Sequence, residues 1–349
     1  MSWQGIVGHD DVVEQFRRRL AADRVQGTFL FVGPAGIGKQ TFARKLSQAL
    51  LCRGGTHRTL DPCGGCEDCK LCEAGTHPDL LAVAKPPDRS ELPLRLLIGE
   101  GEHRMREGLC YEIGLKPFRG GRRVAIIDDA DDLNVEGANC LLKTLEEPPP
   151  RSVMILISTS PDRQLPTIRS RSQIVRFHPP AAADAAALIV REGWAADEAA
   201  ARRLAEASGG SLDEARRLAE PAFADFRRRW LEQLARSWHP PTAAAALLAF
   251  VDDAGKDAGR RRDRLRWALG LTADFYRGVL RAATIGEVGA DDELRRAAEA
   301  AAGDTASDPE SLVDVVERCL EAIEQVDRNA NPTTLVEALC DDVGRRLPV

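Results

Sequence analysis

Three groups of residues in this chain combine side-chain type and spacing in a way that can do chemistry. The first is Gly33-Pro-Ala-Gly-Ile-Gly38-Lys39, entered from the apolar run FLFV at 29–32. G-x-x-x-x-G-K after a buried strand is the phosphate loop of a nucleotide-binding α/β fold. Gly33, Gly36 and Gly38 let backbone N–H groups curl around a phosphate, and the following helix aims its positive end there. Lys39 would reach the β- and γ-phosphates. The next residue should carry the hydroxyl that holds Mg²⁺, but here it is Gln40. Thr41, one residue on and about 100° round the helix, replaces it poorly.

The second group is the buried run RVAII at 123–127, ending in Asp128-Asp129. Asp128 would stand by the Mg²⁺ at the carboxyl end of its strand. Active ATPases of this kind place Glu next, to polarise water. Asp129 is one methylene shorter, and a displacement of roughly 1 Å can cost ~10²-fold in rate. Another buried run, SVMILIST at 152–159, ends in the hydroxyls Ser158 and Thr159 at the same sheet edge.

The third group is Cys52 with Cys63, Cys66 and Cys69, the last three in consecutive C-x-x-C steps. Four thiolates complete a closed tetrahedral zinc site, and Gly64 and Gly65 permit the turn between ligands. Cys72 extends the rhythm and competes with Cys52 as fourth ligand. A dithiol switch would not need the extra cysteines, and no histidine suggests a catalytic metal. His77-Pro-Asp79 reads as a turn into a strand at 80–83.

The elements that must position these groups follow from periodicity. Asp10-Asp11 starts a helix with Val12, Val13, Phe16 and Leu20 on one face, ending near Asp23. A helix follows the phosphate loop at 41–51. Residues 84–120 read as a loop with Pro86, Pro87 and Pro93, then a polar helical segment at 101–114. Lys116, Arg119, Arg122 and Arg123 form a basic cluster, either a solvated turn or a DNA contact. A helix at 134–147 is stopped by Pro148 to Pro150, and a short strand at 173–177 precedes His178-Pro-Pro180. Two alanine-rich helices around Gly209-Gly210 fill 181–219. Helical segments occupy 223–237, 242–254, 260–283, 292–302, 309–327 and 332–347.

The 349 residues exceed one ordinary domain. A net charge of −6 argues against a broad non-specific DNA coat. No signal-peptide pattern and no run of 18 apolar residues is present, so a cytoplasmic protein is expected. Nine cysteines then suggest metal rather than disulfides.

In order, the phosphate loop, the cysteine cluster, AGTHPD (74–79), IIDDAD (126–131), NCLLKTLEEPP (139–149) and IRSRS (168–172) resemble bacterial clamp-loader AAA+ subunits, the delta-prime type above all. The motifs cover residues 5–180 densely, and the C-terminal half matches in pattern. The resemblance implies an AAA+ P-loop NTPase core with a zinc module (1–178, cysteines at 52–72), a small helical lid (179–220) and an all-α collar (221–349). In that family the cysteines hold structural zinc. Its Ser-Arg-Cys motif falls on Ser170-Arg171, with Ser172 in place of the cysteine. Arg171 is thereby implied as an arginine finger acting in a neighbouring subunit's ATP site, worth roughly 10³–10⁵ in rate where such fingers act. The family's second sensor arginine falls on Asp213, an acid that would repel ATP. With Gln40, Asp129 and Asp213 all departing from an active site, the chain is expected not to hydrolyse ATP itself. The implied partners are gamma/tau and delta subunits in a hetero-pentamer, and through it the sliding clamp and primed DNA. The whole belongs to a DNA-directed DNA polymerase holoenzyme, and no polymerase chemistry is expected in this chain. Two alternatives stand beside this: a gamma/tau-like ATPase that uses Gln40 or Thr41 unusually, and a zinc-containing DNA-binding module.

Overall fold

The computed structural model describes residues 3–54, 59–86, 89–236, 238–286, 288–304 and 308–347. Pro87 and Ser237, used in the sequence reading, lie outside them. The chain divides into two compact units, residues 1–185 with 210–213, and residues 186–209 with 214–349.

The first unit is built on five parallel strands: β1 (Gly27–Val32), β2 (Leu80–Val83), β3 (Arg123–Ile127), β4 (Ser152–Ser158) and β5 (Gln173–Arg176), in the order β2-β3-β4-β1-β5. Its helices are α1 (Asp10–Ala21), α2 (Lys39–Leu51), α3 (Glu67–Glu73), α4 (Leu94–Ile98), α5 (Leu109–Glu112), α6 (Val135–Glu146) and α7 (Pro166–Ser170). Parallel strands connected through helices are covered on both faces and read as continuous apolar runs. In β1, Phe29 and Phe31 turn to one layer with Phe16, Phe42 and Phe177, while Leu30 and Val32 turn to the other with Leu141 and Leu156. Removing a large side chain of this kind from water contributes roughly 1.5–3 kcal/mol. The parallel arrangement brings the carboxyl ends of β1, β3 and β4 to one edge, where ligands bind in such sheets.

Asn134 caps α6 by accepting the N–H of Gly137 at 2.8 Å. The expected helix at 101–114 is a correction. Only a turn of 3₁₀ helix at Gly101–His103 and the short α5 form there. Gly101 and Gly108 have φ of +57° and +85°, and a Cβ on Gly108 would lie 2.7 Å from the Gly99 nitrogen. The left-handed backbone breaks the helix, and the crowding fixes Gly108. The short helix α4 falls where a loop was expected, and α7 forms where no element was assigned.

Helices α8 (Ala182–Arg191), α9 (Glu198–Ala207) and α10 (Leu212–Ala219) replace the two helices expected over 181–219. The additional break is made by Gly193, at φ +73°, and by Asp197, which caps α9 through the Ala200 N–H at 2.7 Å. The second unit continues through α11 (Pro221–Leu234), α12 (Pro240–Asp252), α13 (Ala258–Ile285), α14 (Asp292–Asp304), α15 (Pro309–Asp327) and α16 (Pro332–Arg346). Its separate core centres on Trp230, Phe275 and Val315. No helix among the described residues is long and apolar enough to cross a membrane.

Candidate nucleotide cleft and cysteine cluster

The phosphate loop joins β1 to α2, and its glycines are required by geometry. Gly36 and Gly38 have φ of +71° and +98°. A Cβ on Gly33 would lie 2.4 Å from the Phe177 carbonyl oxygen, and one on Gly36 would lie 2.3 Å from Ser211 Oγ. The Leu212 N–H donates to the Gly36 carbonyl at 2.8 Å, which sets Asp213 directly over the loop. Behind the loop, His9 Nε2 meets the Ile37 carbonyl at 2.7 Å, and the His9 ring stands edge-on to Phe177. A carbonyl only accepts, so Nε2 carries the proton. Burial holds the His9 imidazole below its ordinary pKa. The sequence reading missed His9, because one histidine ahead of a helix has no spacing signal.

A cleft of about 470 Å³ opens beside the loop, lined by Lys39, Gln40, Thr41, Asp128, Asp129 and Thr159, among others. Lys39 is buried, and its ammonium donates to the carbonyls of Gly33, at 2.6 Å, and Pro34. Burial lowers its pKa, and Asp131, Asp128 and Asp213 oppose that. Gln40 donates its amide N–H to Asp128 Oδ2, so the carboxylate expected at a metal is already engaged. Asp129 has φ +52° and accepts from the Lys85 N–H at 3.3 Å. Burial first, and then Asp128, raise its pKa. Thr159 directs its N–H and hydroxyl to Asp131 Oδ2, at 2.8 and 2.5 Å, while Ser158 and Gln164 bond Oδ1. Asp131 was not singled out in sequence, yet it gathers the end of β4. The cleft sets five carboxylates, from Asp128, Asp129, Asp131, Asp132 and Asp213, against the cations Lys39 and Arg163.

Arg171 lies away from this cleft. It ends α7 and shares a shallow recess with Gly27 and Thr28, where β1 begins. The phosphate loop follows the other end of that strand, roughly 20 Å away at ~3.3 Å per residue. Arg171 pairs with Glu146 at 2.7 Å and donates to the Thr167 carbonyl at 3.1 Å.

The sulfurs of Cys52, Cys63, Cys66 and Cys69 lie within 4.8 Å of one another, the one such group of potential metal ligands among the described residues. Cys72 is not part of it. Three of the S–S separations are 3.6, 3.9 and 3.9 Å. A tetrahedron with Zn–S bonds of about 2.3 Å has edges of roughly 3.8 Å. Backbone N–H groups of Cys63, Cys66 and Cys69 point at the sulfurs of Cys52, Cys63 and Cys66 at 3.3–3.4 Å, favouring thiolates. Gly54 passes so close that a Cβ there would be 2.7 Å from Cys63 Sγ. The donor set and its size fit zinc. Between the ligands, Asp68 ties α3 to the core through Arg53 at 2.7 Å, His77 at 3.3 Å and Arg119 at 3.5 Å.

In the basic cluster, Arg119 pairs with Glu67, Arg122 with Asp23, and Arg123 with Asp79. Lys116 is exposed. Three of the four members are thus paired within the fold.

Residues 8–181 match the protein family described as DNA polymerase III, delta subunit. The chain belongs to that family. A DNA polymerase III subunit delta′ of Pseudomonas aeruginosa is 34% identical over 219 residues, 63% of each chain. One of Bacillus subtilis is 32% identical over 169 residues, 48% of this chain and 47% of that one. A DNA polymerase III subunit gamma/tau of Mycobacterium tuberculosis is 33% identical over 214 residues, 60% of this chain and 35% of that one. The chain thus spans under two thirds of the length of these relatives. The family match and the strand order make the first unit an AAA+ P-loop α/β core.

Proposed function

We propose that this chain is a delta-prime-type subunit of a DNA polymerase III clamp loader, which helps place a sliding clamp on primed DNA and does not hydrolyse ATP itself. The carrying observation is the Gln40–Asp128 hydrogen bond, which fills the place of a hydroxyl–metal–carboxylate bridge. Asp129 and Asp213 add to it, because the cleft they line holds more acid than base. Gamma/tau and delta subunits would be its partners in a hetero-pentamer, in the cytoplasm. Residues 179–220 would act as lid and 221–349 as collar, and zinc on Cys52, Cys63, Cys66 and Cys69 would be structural.

Arg171 would serve a neighbour's site. Its place at the start of β1 keeps it from its own cleft. Its pair with Glu146 is half-exposed, and such pairs contribute about 0–1 kcal/mol, so the guanidinium can leave it for a phosphate at little cost. The test is Mg-ATP turnover by the chain alone, then mixed with gamma/tau and delta subunits, clamp and primed DNA. The isolated chain should be silent and the mixture active. Arg171→Ala should cut turnover at the site it completes by ~10³-fold or more. Turnover by the isolated chain that Lys39→Ala abolishes would instead make it a gamma/tau-like motor.

A further inference from the structure

A second cleft, of about 360 Å³, opens where the strands begin, at the end of the sheet opposite the phosphate loop. Four arginines line it, Arg53, Arg119, Arg122 and Arg151, and Leu20, Leu50 and Leu51 supply an apolar wall. Three of the four arginines are matched by acids: Arg53 by Asp68 at 2.7 Å, Arg119 by Glu67 at 2.7 Å and Arg122 by Asp23 at 2.6 Å. Asp79, also in the wall, is matched by Arg123 and by the N–H groups of Phe118 and Arg119. Arg151 has no acidic partner among the described residues, so the cleft carries a surplus positive charge.

The backbone at Arg151 is the second observation. Its φ is +62°, in the left-handed region that glycine and asparagine adopt readily and arginine does not. The structural duty of the residue is to offer its carbonyl to the Arg123 N–H at 3.0 Å. Any residue can do that, so what arginine adds is an exposed charge on the cleft wall. Deeper in the wall, His77 is 1% exposed at its side chain and is held by Asp68, whose Oδ1 lies 3.3 Å from Nε2. The rim at Gly120 and Gly121 is open: a Cβ on either would meet nothing within 4 Å.

We infer that this cleft binds a phosphate ester, with Arg151 as its principal cation and Arg122 as the second. A planar guanidinium matches two phosphate oxygens at once. The Asp23 side chain is 76% exposed, so it can yield Arg122 to a ligand without being buried unpaired. The leucines would take the apolar part of the ester, and the volume suits a mononucleotide. The same chemistry is offered by a free nucleotide and by the end of a nucleic-acid strand.

The test is calorimetric titration of the full zinc-loaded chain with three probes: inorganic pyrophosphate, deoxyadenosine monophosphate and a short 5′-phosphorylated oligothymidylate. The variant is Arg151→Gly, chosen because glycine suits the local backbone. It should weaken binding about tenfold, as loss of a charge-assisted pair implies, and keep or raise the thermal midpoint. Lys39→Ala, which disables only the phosphate loop, should leave this binding intact. Preference for the two small probes would identify a free nucleotide, and preference for the oligonucleotide a strand end. The proposal is overturned if no probe binds at millimolar concentration, if Arg151→Gly binds like wild type, if the variant loses binding together with thermal stability, or if Lys39→Ala abolishes binding.

Discussion

At the scale of single residues, the cleft is decided by what already occupies its polar atoms. Gln40 holds Asp128, and Thr159 is committed to Asp131. Gln40→Thr should free Asp128 for a metal. Losing a hydrogen bond to a carboxylate is worth about 1.5–3 kcal/mol, so Mg²⁺ should tighten nucleotide binding by roughly tenfold or more in the variant and little in the wild type. Titration of a fluorescent ATP analogue with and without Mg²⁺ reads this directly, and equal Mg²⁺ dependence in both proteins would refute it. His9 makes a separate prediction. Burial lowers its pKa from the ordinary 6.5, so near and below that pH the unfolded chain binds more protons than the folded one. Its stabilisation is complete above about pH 6.5 and is lost as the pH falls toward the folded pKa. His77, also lowered chiefly by burial, acts in the same direction. Thermal midpoints should therefore fall between about pH 7.5 and 5.5. His9→Gln, which keeps a donor for Ile37 but does not titrate, should make that fall shallower.

At the scale of elements, the cysteine module can be separated from the rhythm that suggested it. Cys52→Ser should lower bound zinc to well below one equivalent, while Cys72→Ser should keep it, as measured by metal analysis after gel filtration. The reverse pattern would show that the fourth ligand had been misassigned. The phosphate loop, the strand before Asp128 and the cysteine steps were legible because each is a local spacing that one strand, turn or helix end imposes. Asp213 was legible through resemblance, and it does stand over Gly36. What escaped was held by distant partners. Asp131 looks like one more acid in a run until Ser158, Thr159 and Gln164 close on it from across the chain. The basic cluster read as either a solvated turn or a DNA contact, because its partners Glu67, Asp23 and Asp79 lie far away in the chain. Helices as short as α4 and α7 hold too few residues for a helical period to show. The helix expected at 101–114 failed because glycines at φ > 0 outweigh the periodicity between them.

At the scale of the whole molecule, the two units keep separate cores, so damage to one should not spread to the other. Trp194, Trp230, Trp238 and Trp267 belong to the second unit and only Trp3 to the first. Phe275→Ala removes a fully buried ring and should cost ~3–5 kcal/mol. It should lower the thermal transition seen by tryptophan fluorescence while the temperature of zinc release, read with a chromogenic chelator, stays in place. A joint shift would mean that the units unfold together. The parallel sheet of the first unit has a further effect. All five strands point the same way, and the two rims differ: five aspartates line the cleft at the carboxyl ends, while arginines paired with acids, and Arg151 without one, lie where the strands begin. Charge therefore gives this unit a front and a back: an acidic mouth above the phosphate loop, and a rear where acids answer every lining arginine but Arg151.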